Sequence, residues 1–319
     1  MRPRILLRSL FLSLAAIGFG TTQAWAIIVF GSTDGRNLSA PTGTLADSGW
    51  QFEGSWQVGA GTAIAPNYFL TARHLGGSVG DSFTVHGVSY TTTAAYDDPA
   101  GTDLRIWQVA QKFTSYAPLY AKSDETGTTS PLVTFGRGTA RGADVSGPNG
   151  LQGYLWGGYD GALSWGTDRV SFLTTLNGGP SGNFLGFNFN SVVGQSATYS
   201  LGDSGGGLFL KDTDGVWKLA GVNYAVDGNY SLKPESDYFS AAMYDARDYY
   251  VGGPGANNHS FVSHPTPDQQ LPQSAYASRV SDRLGFINGA TGVPEPGSVV
   301  LTTVGLAILA CLGRRRRTG

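Results

Sequence analysis

The stretch Leu201-Gly202-Asp203-Ser204-Gly205-Gly206-Gly207-Leu208-Phe209 constrains this chain more than any other. A serine flanked by glycines, preceded by an aspartate and running straight into an apolar strand is a poor turn and a good mount for a nucleophile. Gly202, Gly205 and Gly206 admit backbone conformations closed to residues with a Cβ, so amide N–H groups can converge on one point. Two such amides aimed at a developing oxyanion would be the largest single catalytic term available to a hydrolase. The competing reading is a glycine-rich hairpin, which 47 glycines in 319 residues keep open. The rest of the chain has to decide between them.

Long helical periodicity is nearly absent, and Tyr and Trp are scattered among Gly, Ser and Thr. That points to a β-rich, turn-rich protein. Only 14% of residues are charged and the net charge is -2, so no polyanionic partner is implied and nucleic-acid binding is not expected. With its end segments set aside the chain keeps roughly 265 residues, enough for one large or two small core-bearing units. Its single cysteine, Cys311, lies in a C-terminal apolar segment. The folded part therefore has no disulfide and depends on core burial.

Both ends read as addresses. Residues 1–26 have the form of a secretory signal peptide, with Arg2, Arg4 and Arg8, an apolar stretch from Leu10 to Phe19, and an Ala24-Trp25-Ala26 cleavage site. At the other end, Val293-Pro294-Glu295-Pro296 precedes an apolar run over 299–312 and then Arg314-Arg315-Arg316-Arg317. That run, expected to be an apolar helix, falls short of the ~20 residues that span a bilayer comfortably. The combination over 291–319 resembles the PEP-CTERM sorting tail of Gram-negative bacteria. The two ends together imply processing by signal peptidase and an exosortase-type enzyme, transient inner-membrane insertion, and delivery to the cell envelope, outer surface or extracellular matrix.

Between the ends, Trp56 to Ala65, a Pro66-Asn67 turn and Tyr68 to His74 read as strand, tight turn, strand. Phe83 to Tyr90 alternates like a hairpin. Asp103-Leu104-Arg105-Ile106 opens a strand with an aspartate, whereas Asp97 and Asp98 sit in a Pro/Gly turn. Ala140 to Gly194 is loop-rich. Leu208 to Leu210, a turn at Asp212 to Gly215 and Val216 to Val222 form a hairpin that continues into Asn223-Tyr224-Ala225-Val226. Asp227 to Gln273 is either an insertion beside a cleft or surface decoration. Ser274 to Ile287 is expected to be a helix, with Ser274 as N-cap, Tyr276, Val280, Leu284 and Ile287 as its apolar stripe, and Asn288-Gly289 as its stop.

Gly59 to Leu75 resembles the strand-turn-strand that carries the catalytic histidine of trypsin-like serine proteases. Thr71-Ala72-Arg73-His74 stands for that family's Thr-Ala-x-His run, with Arg73 replacing the usual alanine and Leu75 the usual cysteine. Leu132 to Gly138 resembles the strand that opens the family's second barrel, Asn223 to Val226 its primary-pocket strand, and Tyr276 to Ile287 its closing helix. The order His74, Asp103, Ser204 is that of trypsin-like enzymes and differs from those of subtilisins and α/β-hydrolases.

The resemblance implies an all-β fold of two six-stranded antiparallel β-barrels (chymotrypsin-like) with a C-terminal helix. The domain would cover 27–290, with a first barrel over about 27–125, a second over about 126–273 and a closing helix over 274–288. It implies a serine endopeptidase acting on proteins or peptides, with Ser204 as nucleophile, His74 as base and Asp103 as its orienter. The backbone amides of Gly202 and Ser204 would form the oxyanion hole. Thr198 would lie at the floor of the substrate pocket, with Tyr224, Ala225 and Val226 on its wall. With no acid at that floor, a small or medium uncharged side chain is expected before the scissile bond. Ile27, freed by signal cleavage, would bring an ammonium beside Asp203. No cofactor or metal is implied, and His259, His264, Asp245 and Asp248 match no recognised metal pattern. Two alternatives remain: an esterase on the same residues, and a non-catalytic envelope or matrix binding protein that kept the fold.

Overall fold

In a computed structural model of the chain, the described residues are 27–31, 37–129, 131–176, 178–192, 196–233, 237–252, 259–261 and 269–292. The expected signal segment, 1–26, and the sorting run, 299–312, lie outside them. Among the described residues no helix is long and apolar enough to cross a membrane.

After β1 (Ile28–Val29), six short strands follow: β2 (Glu53–Trp56), β3 (Gly59–Ala65), β4 (Tyr68–Ala72), β5 (Ser82–Val85), β6 (Val88–Asp97) and β7 (Leu104–Val109). They close into an antiparallel barrel in the order β2-β3-β4-β7-β6-β5. Two-residue alternation decides what each strand touches. In β4, Phe69 points into the barrel and stacks on Phe83 at 3.9 Å, while Leu70 points out toward the second half of the molecule. In β7, Trp107 and Val109 face in, and Leu104 and Ile106 face out. The β5–β6 hairpin turns at His86 and Gly87, both left-handed with φ of 47° and 85°, as a tight hairpin turn requires.

The second half holds β8 (Leu132–Gly136), β9 (Thr139–Gly147), β10 (Gly150–Tyr159), β11 (Ser164–Asp168), β12 (Phe172–Thr174), β13 (Phe184–Asn188), β14 (Ala197–Thr198), β15 (Gly207–Lys211) and β16 (Trp217–Val226). It continues with β17 (Asn229–Ser231), β18 (Phe239–Met243), β19 (Tyr250–Gly252), β20 (His259–Phe261) and β21 (Ser274–Arg279), then the helix α1 (Leu284–Thr291). Its main sheet has seven strands in the order β11-β8-β15-β16-β21-β13-β12. The architecture is all-β and chymotrypsin-like, one closed six-stranded barrel packed against this second sheet. The outward faces of β4 and β7 meet Val133, Phe135, Phe209, Leu219 and Val222 in a core shared by both halves.

The insertion 227–273 is more than surface decoration. Its strands β17 to β20 extend the long β9–β10 hairpin into a six-stranded sheet ordered β20-β19-β17-β18-β10-β9. This sheet buries Val145, Tyr230, Met243 and Tyr249 in a small core of its own.

The expected helix over 274–288 is corrected. Residues 274–279 form β21, a central strand bonded to β13 on one edge and β16 on the other. Ala275 and Ala277 alternate inward into the sheet, and a ladder on both edges outweighs helix propensity in so short a segment. The helix begins at Leu284 and runs through the predicted Asn288-Gly289 stop to Thr291. Gly292 ends it with φ 68°, its N–H donating to the Asn288 carbonyl at 2.9 Å.

Candidate active site

Ser204 sits on the turn before β15, and the turn's glycines are required by its surroundings. Gly205 has φ 81°, and a Cβ there would collide with the Ala60 carbonyl and the Thr71 hydroxyl. Gly202 has φ 98°, and a Cβ there would lie 2.9 Å from the Tyr159 ring. Both halves of the molecule hold the turn: Ala60 of β3 donates its N–H to the Ser204 carbonyl at 2.9 Å, and Gly205 donates to the Asn223 carbonyl of β16 at 2.9 Å. Asn223 adds its side-chain amide, which donates to the Phe135 and Asp203 carbonyls at 2.6 and 3.1 Å.

His74 follows β4 in a single 3₁₀ turn, Arg73–Leu75. Its Nε2 lies 2.8 Å from Ser204 Oγ, and its Nδ1 lies 2.6 Å from Asp103 Oδ2. A carboxylate only accepts, so Nδ1 carries the ring proton and Nε2 is left to accept from the serine hydroxyl. Asp103 also accepts the His74 backbone N–H at 3.0 Å through Oδ1. Its φ of 63° is left-handed, a conformation that persists for a non-glycine residue only where the surroundings over-determine it. Three side chains from distant parts of the sequence thus form one continuous hydrogen-bonded relay. Asp97 and Asp98 lie outside it; Asp97 pairs with Arg105 and Asp98 with Arg283.

Among the described residues, the N–H groups of Gly202 and Ser204 donate to no protein acceptor, and both residues line the cleft beside His74. Beneath them Asp203 is fully buried. Burial pushes its carboxyl up to about 6, against hydrogen bonds from the N–H groups of Ser200 and Gly138, the Ser200 hydroxyl and the Ile27 nitrogen. The Ile27 backbone nitrogen lies 3.4 Å from Asp203 Oδ1. Ile27 is itself fully buried, and β1 behind it pairs with β14.

A cleft of about 250 Å³ opens beside Ser204, and Tyr224, Ala225 and Val226 line it as expected. Thr198 does not. It is fully buried behind the cleft, and its hydroxyl accepts from the Gln273 amide at 3.0 Å. The floor is made instead by Tyr199 and Ser200, which follow the end of β14. Trp156 of β10 closes one side, packed against Gly228 at the start of the insertion. Among the described residues, the ionisable side chains that line this cleft are His74 and Tyr residues. The Tyr224 ring stands edge-on to the His74 imidazole, 6.0 Å between centroids.

Sequence reasoning missed Trp156, Tyr159, Tyr199 and Ser200. The last two neighbour the serine motif, so proximity could have suggested them. Nothing local could have suggested Trp156 or Tyr159, whose positions depend on sheet pairing with a segment more than eighty residues away (Tyr154 with Ala242). Of the residues weighed for a metal, Asp245 is committed to the Arg247 guanidinium at 2.5 Å, and His264 lies outside the described residues.

No family model matches the chain. Over 182 residues, 53% of its length, it is 31% identical to the serine protease SepA autotransporter of Shigella flexneri. The match spans 13% of that protein.

Proposed function

We propose that the chain is a serine endopeptidase. The observation that carries this reading is the relay Asp103–His74–Ser204, with contacts of 2.6 and 2.8 Å between residues 29 and 130 positions apart. The similarity to a serine protease autotransporter supports it at a coarser level.

Ser204 Oγ attacks the carbonyl carbon of the scissile bond while His74 Nε2 takes its proton. The negative charge that develops on the carbonyl oxygen is met by the N–H groups of Gly202 and Ser204, each worth about 2.7–4 kcal/mol in such a site. Asp103 holds the imidazole in the tautomer that accepts at Nε2 and stabilises the imidazolium that results. The tetrahedral intermediate collapses, the C–N bond breaks, and the leaving amine takes the proton from Nε2. Water then attacks the acyl-serine by the same route and releases the acid. In this reading the cleft floored by Tyr199 and Ser200 takes the side chain before the scissile bond. With no carboxylate among the described residues that line it and Val226 narrowing it, that side chain is small or medium and uncharged. No cofactor or metal takes part.

The sequence at the two ends supports export, with signal cleavage after Ala26 and a PEP-CTERM-type tail that directs the protein to the envelope or beyond. The Ile27 nitrogen at Asp203 supports a further role for that cleavage: it turns an amide into an ammonium beside a buried carboxylate.

A fluorophosphonate probe tests the reading. The purified protein should be labelled, and both Ser204→Ala and His74→Ala should abolish labelling while leaving the fold intact by circular dichroism. A folded wild type that takes no label and cleaves no peptide library would overturn it in favour of a non-catalytic binding protein.

A further inference from the structure

Ser204 separates two clefts, and only one of them is absorbed by the reading above. The second, about 370 Å³, lies on the other side of Leu201 and reaches His74, Gly202 and Ser204. Its remaining walls are the side chains of Val58, Leu75, Tyr159 and Leu201. Three of these are unusually exposed for their type: Leu201 at 72%, Val58 at 64% and Tyr159 at 50%. Single exposed apolar residues need no explanation, but several converging on one reactive hydroxyl make a binding patch.

The walls come from different parts of the molecule and are tied together. Val58 is on the β2–β3 turn of the barrel, and Tyr159 ends β10 of the second half. The Tyr159 hydroxyl donates to the Val58 carbonyl at 3.0 Å, bridging the two halves across this end of the cleft. The absence of a Cβ at Gly202 lets the Tyr159 ring lie against the backbone beside Ser204. The hairpin that carries Tyr159 is in turn held by β18 of the insertion, Tyr154 pairing with Ala242.

The two clefts divide the substrate between them. β15 accompanies β16 only as far as Val222, and β16 then runs on along the first cleft. An acyl-side peptide can lie beside that strand with its side chain over Tyr199, which leaves the second cleft for the amine side. Resting on the serine-peptidase reading, we infer that this second cleft binds a bulky apolar side chain, so that the substrate carries a Leu-, Ile- or Phe-like residue directly after the scissile bond. Val58, Tyr159 and Leu201 are the specificity-determining residues.

The amine side departs when the acyl-enzyme forms, so its contacts act on acylation and not on hydrolysis of the acyl-enzyme. A matched set of peptides that differ only in the residue after the scissile bond (Leu, Phe, Gly, Asp) reads this out as kcat/KM. Wild type should prefer Leu or Phe over Gly or Asp by tenfold to a hundredfold, the range an apolar pocket supplies. Val58→Asp, on an exposed turn, should cut the Leu:Gly ratio about tenfold, and Tyr159→Ala should do the same. The kcat/KM for the methyl ester of the same acyl group, which has no residue on that side, is the reference to which each variant's peptide rates are normalised. Fluorophosphonate labelling of each variant reports that its site is folded. Cleavage with no preference at that position, or a Leu:Gly ratio untouched by both substitutions in labelled protein, overturns the inference and leaves the peptidase reading standing. Absence of both cleavage and labelling in wild type overturns both.

Discussion

Arg283 grips Asp98 with two hydrogen bonds of 2.9 Å, and through it the turn between β21 and α1 holds the loop that carries Asp103. The Asp98 carboxylate also accepts from the Thr102 hydroxyl and the Ala100 N–H, and Ser278 of β21 donates its hydroxyl to the Thr102 carbonyl at 2.5 Å. These contacts bracket the left-handed residue on its N-terminal side. The Asp98 side chain is fully buried and that of Arg283 is 18% exposed. Removing one partner of such a pair leaves an uncompensated charge, so Arg283→Met should cost about 3–5 kcal/mol. Arg283→Met with Asp98→Asn should recover most of that. Urea denaturation of the two singles and the double measures the coupling. A single variant within about 0.5 kcal/mol of wild type would show that the pair holds nothing.

Asp103→Asn separates chemistry from backbone strain. Asparagine tolerates the left-handed conformation that Asp103 adopts, so the loop should keep its shape. What changes is the His74 tautomer, because the amide can donate to Nδ1 and so strand the ring proton on Nε2, where it no longer accepts from Ser204. The expected loss in kcat is on the order of 10³–10⁴-fold, with the urea midpoint nearly unchanged. A steady-state assay and one denaturation curve decide it; a loss under tenfold would remove Asp103 from the relay.

The relay was legible in the sequence because each of its members sits in a short local pattern: a strand-turn-strand ending in His74, a strand opened by Asp103, and glycines around Ser204. The lining of the clefts was less so. Thr198 and Tyr199 differ by one position, yet Tyr199 lines the cleft while Thr198 meets Gln273 behind it, and no local pattern marks which does which. Tyr276, Val280, Leu284 and Ile287 carry helical spacing, yet Ala275 and Ala277 carry strand spacing over the same residues; the pairing with β13 and β16 settles which applies. Trp156 and Tyr159 reach the site only because an insertion distant in sequence completes the sheet beneath them.

Signal cleavage after Ala26 would place a charged α-amino group where the Ile27 nitrogen now lies 3.4 Å from Asp203. One extra residue at that end keeps the nitrogen as an amide and moves the charge away. Protein that begins at Ile27 should therefore label with fluorophosphonate at least tenfold faster than protein that begins at Ala26, since the carboxylate it pairs with underlies the turn of Gly202 and Ser204. Asp203→Asn should slow the Ile27 form to the rate of the longer one. Mass spectrometry fixes the start of each preparation. Equal labelling rates would mean that the turn is ordered without the ammonium.

Glu53 gives the molecule a pH dependence whose sign follows from its position. It lies in β2, fully buried between the halves, and accepts from the Thr62 hydroxyl at 2.7 Å and the Gly207 N–H at 3.3 Å. Burial pushes its carboxyl from an ordinary 4.5 up to about 8; the two hydrogen bonds and the distant Arg137 charge pull it only partway back. The folded protein therefore holds this proton more tightly than the unfolded chain. The resulting stability is complete below about pH 4.5 and is lost progressively as pH rises to about 8. Burial raises Asp168 to about 7 and Asp203 to about 6, which act in the same direction over narrower windows. Glu53→Gln keeps the shape and has no proton to lose, so it should flatten the decline between pH 5 and 8 by more than about 1 kcal/mol while leaving the Asp168 and Asp203 contributions in place. Urea midpoints at half-unit pH intervals for wild type and variant measure the two slopes. Parallel slopes would place the Glu53 proton outside the folding equilibrium, and a steeper variant would reverse the sign argued here.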